Sequence, residues 1–237
     1  MKSVIVDKRI RDCEKRMLML SGYPVIELPA SKLLGQAVAS HPDTLIFKYK
    51  NEIISSADYC DEAAYVFSDI RENHKDVKII FTSDTLSAEY PADTRFNALV
   101  CGGELFCRTD SISRAILELA EREKIHVNPV KQGYPACSVL SLGTRAVTAD
   151  LGMARAMEKR GIDVKLIREG FIALPPYEYG FIGGASAVLQ NKVYFFGDYK
   201  LHPDADAIEK SVYDAGYTPI SLSTLPLVDL GGAVLLE

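Results

Sequence analysis

The chain contains no tryptophan, only four histidines, and five cysteines with no Cys-x-x-Cys pair among them. An odd number of cysteines at irregular spacing argues against a disulfide framework and against a structural zinc site, so no metal and no cofactor is expected. No apolar run approaches the ~20 residues of a membrane-spanning helix, and no membrane partner is expected. The opening MKSVIVDKRI lacks the apolar stretch of a secretory signal, which points to a cytoplasmic protein. A basic block is also missing. With a net charge of −5 the chain offers no electrostatic footprint for nucleic acid. What remains is ordinary globular composition: 48% hydrophobic and 25% charged residues over a length of 237 are enough for one cored domain spanning residues 1–237.

Within that length one unit recurs about five times. Each copy opens on a His/Tyr-Pro or Gly-Gly element, followed by two short apolar strands joined by a tight turn, an amphipathic helix, and a further apolar strand. Clear copies begin at His41, Tyr90, Tyr134 and Tyr179. Turn pairs stand at matching places: Lys50-Asn51, Gly102-Gly103, Gly143-Thr144 and Asn191-Lys192. The fifth copy is cut open. LVDLGGAVLLE starts at Leu227 and runs out of chain, while SVIVD, a helix-like RDCEKRMLML and PVIEL stand alone at the other end. A repeat divided between the termini is what a closed ring requires. The fold class is therefore α/β, a five-fold pseudosymmetric α/β-propeller of ββαβ units closed by pairing the N- and C-terminal strands. An ordinary open α/β sheet is the alternative.

A ring would gather the residues that lead each inner strand. These are His41-Pro42-Asp43 in one unit, Asp93, Arg95 and Asn97 in the next, Tyr134-Pro135-Ala136-Cys137 in the third, Tyr177, Tyr179 and Phe181-Ile182-Gly183-Gly184 in the fourth, and Asp229 with Gly231-Gly232 in the fifth. One thiol and one imidazole at equivalent positions are the minimum for nucleophilic thiol catalysis, with a carboxylate to orient the imidazole or hold a cation. Each has a plainer reading: Cys137 as a small strand-start residue, His41 as a turn residue before Pro42, Asp43 as a turn cap. Arg95 would bind a carboxylate or pair with Asp93. His202-Pro203-Asp204 reads as a helix start, and His74 and His126 as surface or strand-edge residues. Ser111 or Asp110 would cap the helix SISRAILELAEREK.

Three segments resemble the pentein superfamily of guanidino-group-modifying enzymes. HPDTLIF resembles its His-x-Asp-Thr strand, RFNALVCGGELF the repeat in which an Asn leads a hairpin, and KQGYPACSVLSL the strand bearing the nucleophilic Cys. GFIGGASAVL and LVDLGGAVLLE resemble the repeats that come first in those enzymes, so the chain reads as a circular permutation. It is also similar to a bacterial family of that fold whose activity is not assigned. The resemblance implies Cys137 as nucleophile, His41 as general acid/base and Asp43 as a positioning or binding group. Asn97, Arg95, Tyr134, Tyr179, Phe181 and Asp229 would bind the substrate, a small molecule in the central pore. Two departures stand out. Gly183 to Ser186 replaces an Arg-Asp, and Ala233 replaces the second acid of a Glu-Gly-Gly-Asp whose first acid lies near Asp229. The expected activity is a Cys-dependent hydrolase or transferase for a small amidine, guanidine-like or amide compound. The alternative is a pentein-like protein that binds such a molecule without turnover. A homodimer stays open.

Overall fold

The computed structural model describes residues 2–237. Among them five three-stranded sheets form, each with the same wiring. The chain starts in the middle of the first sheet. Strand β1 (Ser3–Asp7) is followed by helix α1 (Asp12–Leu20) and strand β2 (Val25–Leu28), which returns parallel to β1. The second unit has a single helical turn α2 (Pro42–Leu45), the hairpin β3 (Ile46–Tyr49) and β4 (Glu52–Ser56), helices α3 (Ala57–Glu62) and α4 (Ala64–Asn73), and β5 (Lys78–Thr82). The third has β6 (Leu99–Cys101), β7 (Glu104–Cys107), α5 (Arg114–Arg122) and β8 (His126–Pro129). The fourth has another single turn α6 (Pro135–Ser138), then β9 (Val139–Leu142), β10 (Arg145–Thr148), α7 (Leu151–Glu158) and β11 (Asp163–Leu166). The fifth has β12 (Ser186–Leu189), β13 (Lys192–Phe195), α8 (Ala205–Asp214) and β14 (Thr218–Ser221). Strand β15 (Ala233–Leu236) then closes the first sheet by pairing antiparallel to β1, Ser3 opposite Leu236. The expected completion of the last repeat by the first residues is what the chain adopts.

Each hairpin is antiparallel, and each helix carries the chain back to a parallel outer strand, as a crossover demands. At the hairpin tips the backbone must turn left-handed. Gly102 and Gly103 do so at φ +61° and +78°, the pair of positive angles a two-residue hairpin turn needs. The strands are buried because helices cover them outside and neighbouring units flank them. All five residues of β1 are buried. The innermost strands run around the axis as β6, β9, β12 and β15, each beside the next. All five inner strands, β3 included, line one axial cavity of about 400 Å³.

Several local expectations differ from the structure. The helical segment between β4 and β5 divides at Ala63, giving two helices, α3 and α4, where each repeat was expected to carry one. Ser111 does not cap α5: its hydroxyl pairs with Thr94 at 2.8 Å, and Ser113 holds the cap position while donating to Asp84. His74 is not at the surface. It is buried, with Nε2 2.6 Å from the Ser3 hydroxyl, tying α4 to β1. His202 does start a helix, its Nδ1 accepting the Asp204 amide at 3.0 Å ahead of α8. Tyr134 and His41 lead into helical turns rather than directly into strands, because Pro42 and Pro135 occupy first-turn positions that suit proline.

Candidate active site

The two prolyl turns are the structural equivalents that bring the reactive groups together. Turn α2 presents Asp43 just after His41, and turn α6 presents Cys137. The Asn97 side chain fixes the second turn: its Oδ1 accepts the Ala136 amide at 2.8 Å. The fourth and fifth units contribute Gly183-Gly184 and Asp229-Leu230-Gly231. Here the glycines are required by contact. A Cβ at Gly184 would sit 1.9 Å from Asp229 Oδ1, and one at Gly231 would sit 2.4 Å from His41 Cβ. Gly231 also has φ +66°.

At the centre, Cys137 Sγ lies 2.7 Å from Asp43 Oδ2 and 3.9 Å from Asp229 Oδ1. His41 Nδ1 is 4.0 Å from Asp43 Oδ1 and 3.9 Å from Asp229 Oδ1. On its far side His41 Nε2 is 3.7 Å from Asp7 Oδ2, a carboxylate that Ser40 and Arg9 already bind. Both ring nitrogens of His41 are buried without a hydrogen-bond partner. Asp229 is held by two backbone amides, Phe181 at 2.8 Å and Gly231 at 3.0 Å. The layer is largely desolvated: His41 and Asp229 are almost wholly buried, and Cys137 is 3% exposed.

Burial and crowding set the protonation states. Desolvation, then the neighbouring Asp229 and Asp43 charges, push the Cys137 thiol well up, so the resting group is a neutral thiol. Desolvation also raises both carboxyls to about 6, Asp43 against its thiol hydrogen bond and Asp229 against the attraction of His41. Burial lowers His41, with Asp229 and Asp7 opposing it, which leaves a neutral imidazole at neutral pH. The Asn97 amide pulls both the thiol and Asp43 back toward ionisation. The thiol's direct partner is thus a carboxylate, not the imidazole expected from the sequence. Ligand atoms of His41, Asp43 and Cys137 lie within 4.8 Å of one another, a donor set that could also hold a soft divalent cation.

Above this layer a cavity of about 530 Å³ opens outward. Cys137, His41 and Asp229 form its floor, and Tyr134, Tyr179 and Phe181 stand in its wall. The loop carrying the last two is strapped to the Asp229 strand, Ala173 donating to Leu227 and Asp229 donating to Ala173, both at 2.9 Å. Below the layer the axial cavity reaches Asp43 from the opposite side. Arg95 does not line either cavity and does not pair with Asp93. Its Nη1 donates to the Ser111 carbonyl at 3.3 Å, just past the short helix at Ala92–Thr94, while its Nε is buried without a hydrogen-bond partner. Asn97 reaches the site as a support for the Cys137 turn. The structure adds Asp7 behind His41, and Tyr90, Asp93, Gln132 and Tyr177 in the outer wall. Of these, Asp93 and Tyr177 stand at equivalent unit positions in the sequence and were visible there, whereas Asp7 lies in the split unit and had no motif to mark it.

The profile of a family of unknown function, DUF6873, matches residues 5–234. Among curated proteins no relative matches the chain. The fold matches that of DDAH from Pseudomonas aeruginosa, solved with citrulline, at TM-score 0.57 and 10% identity over 94% of this chain and 92% of that one. It also matches SxtG, an amidinotransferase from Microseira wollei in the saxitoxin biosynthetic pathway, at 0.56 and 13% over 94% and 77%. Agmatine deiminase from C. jejuni gives 0.55 and 8% over 92% and 75%. These are pentein structures, and the architecture of this chain is the pentein fold expected from its three resembling segments.

Proposed function

The chain belongs to DUF6873, a family of unknown function, and from its own site we propose that it is a thiol-dependent enzyme cleaving a C–N bond of a small cationic amidine or guanidine. The observation that carries this is the Cys137–Asp43 contact of 2.7 Å inside a buried layer shared with Asp229 and His41. Two buried carboxyls with raised pKa values form an empty place for a positive charge. A planar amidinium between them would neutralise their charge and at once remove the repulsion that keeps the thiol protonated. The substrate itself would therefore switch on the nucleophile.

The chemistry then balances without a further reagent. The Sγ proton passes to Asp43 as Sγ bonds to the amidinium carbon. The proton moves through the Asp43–His41 pair to the departing nitrogen as the C–N bond breaks, releasing an amine or ammonia and leaving a thioimidate. Neutral His41 takes a proton from water, the hydroxyl adds to the same carbon, and the C–S bond breaks to give the amide or urea and the thiol. An amine in place of water would make the same site a transferase.

Ammonia or amine release from a panel of small amidines and guanidines tests the reading. Release by the parent and none by Cys137→Ser supports it. Binding of the panel with no release from either protein supports the non-catalytic alternative, which the raised thiol pKa favours.

A further inference from the structure

The outer wall contains a group the mechanism does not use. Asp93 lines the 530 Å³ cavity and is 6% exposed. Its Oδ2 accepts the Tyr134 hydroxyl, while its Oδ1 is buried with no partner. A buried acceptor left unpaired is costly, and native proteins retain such groups mainly where a ligand or water completes them. The surroundings say which ligand. Tyr90 and Tyr134 lie tilted at 37° with ring centroids 6.1 Å apart, and Tyr179 and Phe181 meet edge to face at 6.3 Å, all in the same wall. Such faces attract cations. Among the described residues no lysine or arginine lines the cavity. The nearby Arg108 is committed to Asp110 and to the Tyr90 ring and hydroxyl, and Arg95 to Ser111.

We propose that the cavity holds a second cation subsite, in which Asp93 and its aromatic neighbours take the distal ammonium of a dicationic substrate. This rests on the reading of the floor as an amidine or guanidine site and narrows it. The substrate class is an aminoalkyl amidine or guanidine, with positive charge at both ends. A zwitterionic amino acid fits poorly, because its carboxylate would enter a wall that carries Asp93 and Glu178 and no countercharge. Asp93 is thus a specificity residue: the deep carboxylates read the reacting head and Asp93 reads the tail.

The test is calorimetric binding to the full chain carrying Cys137→Ser, which blocks turnover, with and without Asp93→Asn. Asparagine keeps an acceptor for Tyr134, and thermal melting checks that the variant is folded. The probes are alkylguanidine, aminoalkylguanidine and guanidinoalkanoate with the same three- to five-carbon chain, together with the matching monoamine and diamine. The expected result is that the aminoalkylguanidine binds at least tenfold tighter than the alkylguanidine, that the guanidinoalkanoate binds weakest, and that Asp93→Asn brings the tail preference to about one. Equal binding of mono- and dications, a preference that survives Asp93→Asn, or tightest binding of the carboxylate overturns the proposal. Failure of every guanidine alongside an Asp93-dependent preference for diamine over monoamine supports the tail subsite and overturns the head-group reading alone. No measurable binding of either dication overturns the subsite.

Discussion

Cys137 Sγ donates to Asp43 Oδ2 at 2.7 Å, so the nucleophile is held by the group that also opposes its ionisation. A hydrogen bond to an anion favours the protonated thiol, and a second carboxyl, Asp229 at 3.9 Å, adds to the effect. The resting thiol is held in its unreactive, protonated form, a balance that nearby positive charge is expected to reverse.

Replacing Asp43 with asparagine removes the hydrogen-bonded charge while keeping the shape. The Cys137 thiol then ionises at lower pH, and its alkylation at pH 8 speeds up by about tenfold for each pKa unit released. Turnover falls in the same variant because the proton acceptor is gone. Site-resolved labelling against pH checks this. A thiol that becomes slower or stays the same contradicts the assigned role of Asp43.

The raised carboxyls also leave a mark on stability. The folded pKa of Asp43 is about 6 against 3.8 ordinarily, so between those values the native state binds more protons than the unfolded state. Stability therefore falls as pH rises from about 4 to 6, and above that the cost is fully present, about 3 kcal/mol at most for a shift of this size. Asp43→Asn removes that slope. Its melting temperature relative to the parent is expected to rise from pH 4.5 to pH 7.5. A gap that stays constant across this window would show that Asp43 titrates normally.

Gly184→Ala is expected to disable the site with less damage elsewhere. The added Cβ meets Asp229 Oδ1 at 1.9 Å, so Asp229 must leave its two amides or the backbone must shift. Overpacking of this kind costs about 1–3 kcal/mol. Melting and binding of a small amidine, measured together, should show a larger loss in binding than in stability.

Ring closure makes the last strand structural. Leu236 is fully buried in β15, against β1. Leu236→Ala should cost about 2–5 kcal/mol by denaturant titration, as for other buried leucines. A cost near zero would mean that the terminal pairing contributes little.

Much of this was legible in the sequence because ring symmetry converts equivalent positions into neighbours. His41 with Asp43, Cys137, and Asp229 lead three units far apart in the chain, and the pentein-like segments marked the first two of these units. The split repeat exposed the β1–β15 pairing. Other features were hidden by contacts no period encodes. Arg95 shares the lead segment with Asn97 but points to Ser111, since one residue within a short helical turn changes the direction of a side chain. His74 looked exposed on polar neighbours, yet the Ser3 hydroxyl draws it inward. Ala233 stands where the resembling enzymes carry the second acid of their Glu-Gly-Gly-Asp. Asp43 and Asp229 instead both reach Cys137 Sγ, so two carboxyls flank the thiol after all.

The central claim is that positive charge activates Cys137, and one comparison tests it most directly. The full chain is treated with 2-chloroacetamidine, a cation, and with 2-chloroacetamide, its neutral counterpart of nearly the same size, and labelling of Cys137 is followed by mass spectrometry relative to a free thiol. The cation is expected to label Cys137 at least a hundredfold faster than the neutral reagent after that correction, and Asp229→Asn to remove most of the difference. Equal rates for the two reagents would contradict it.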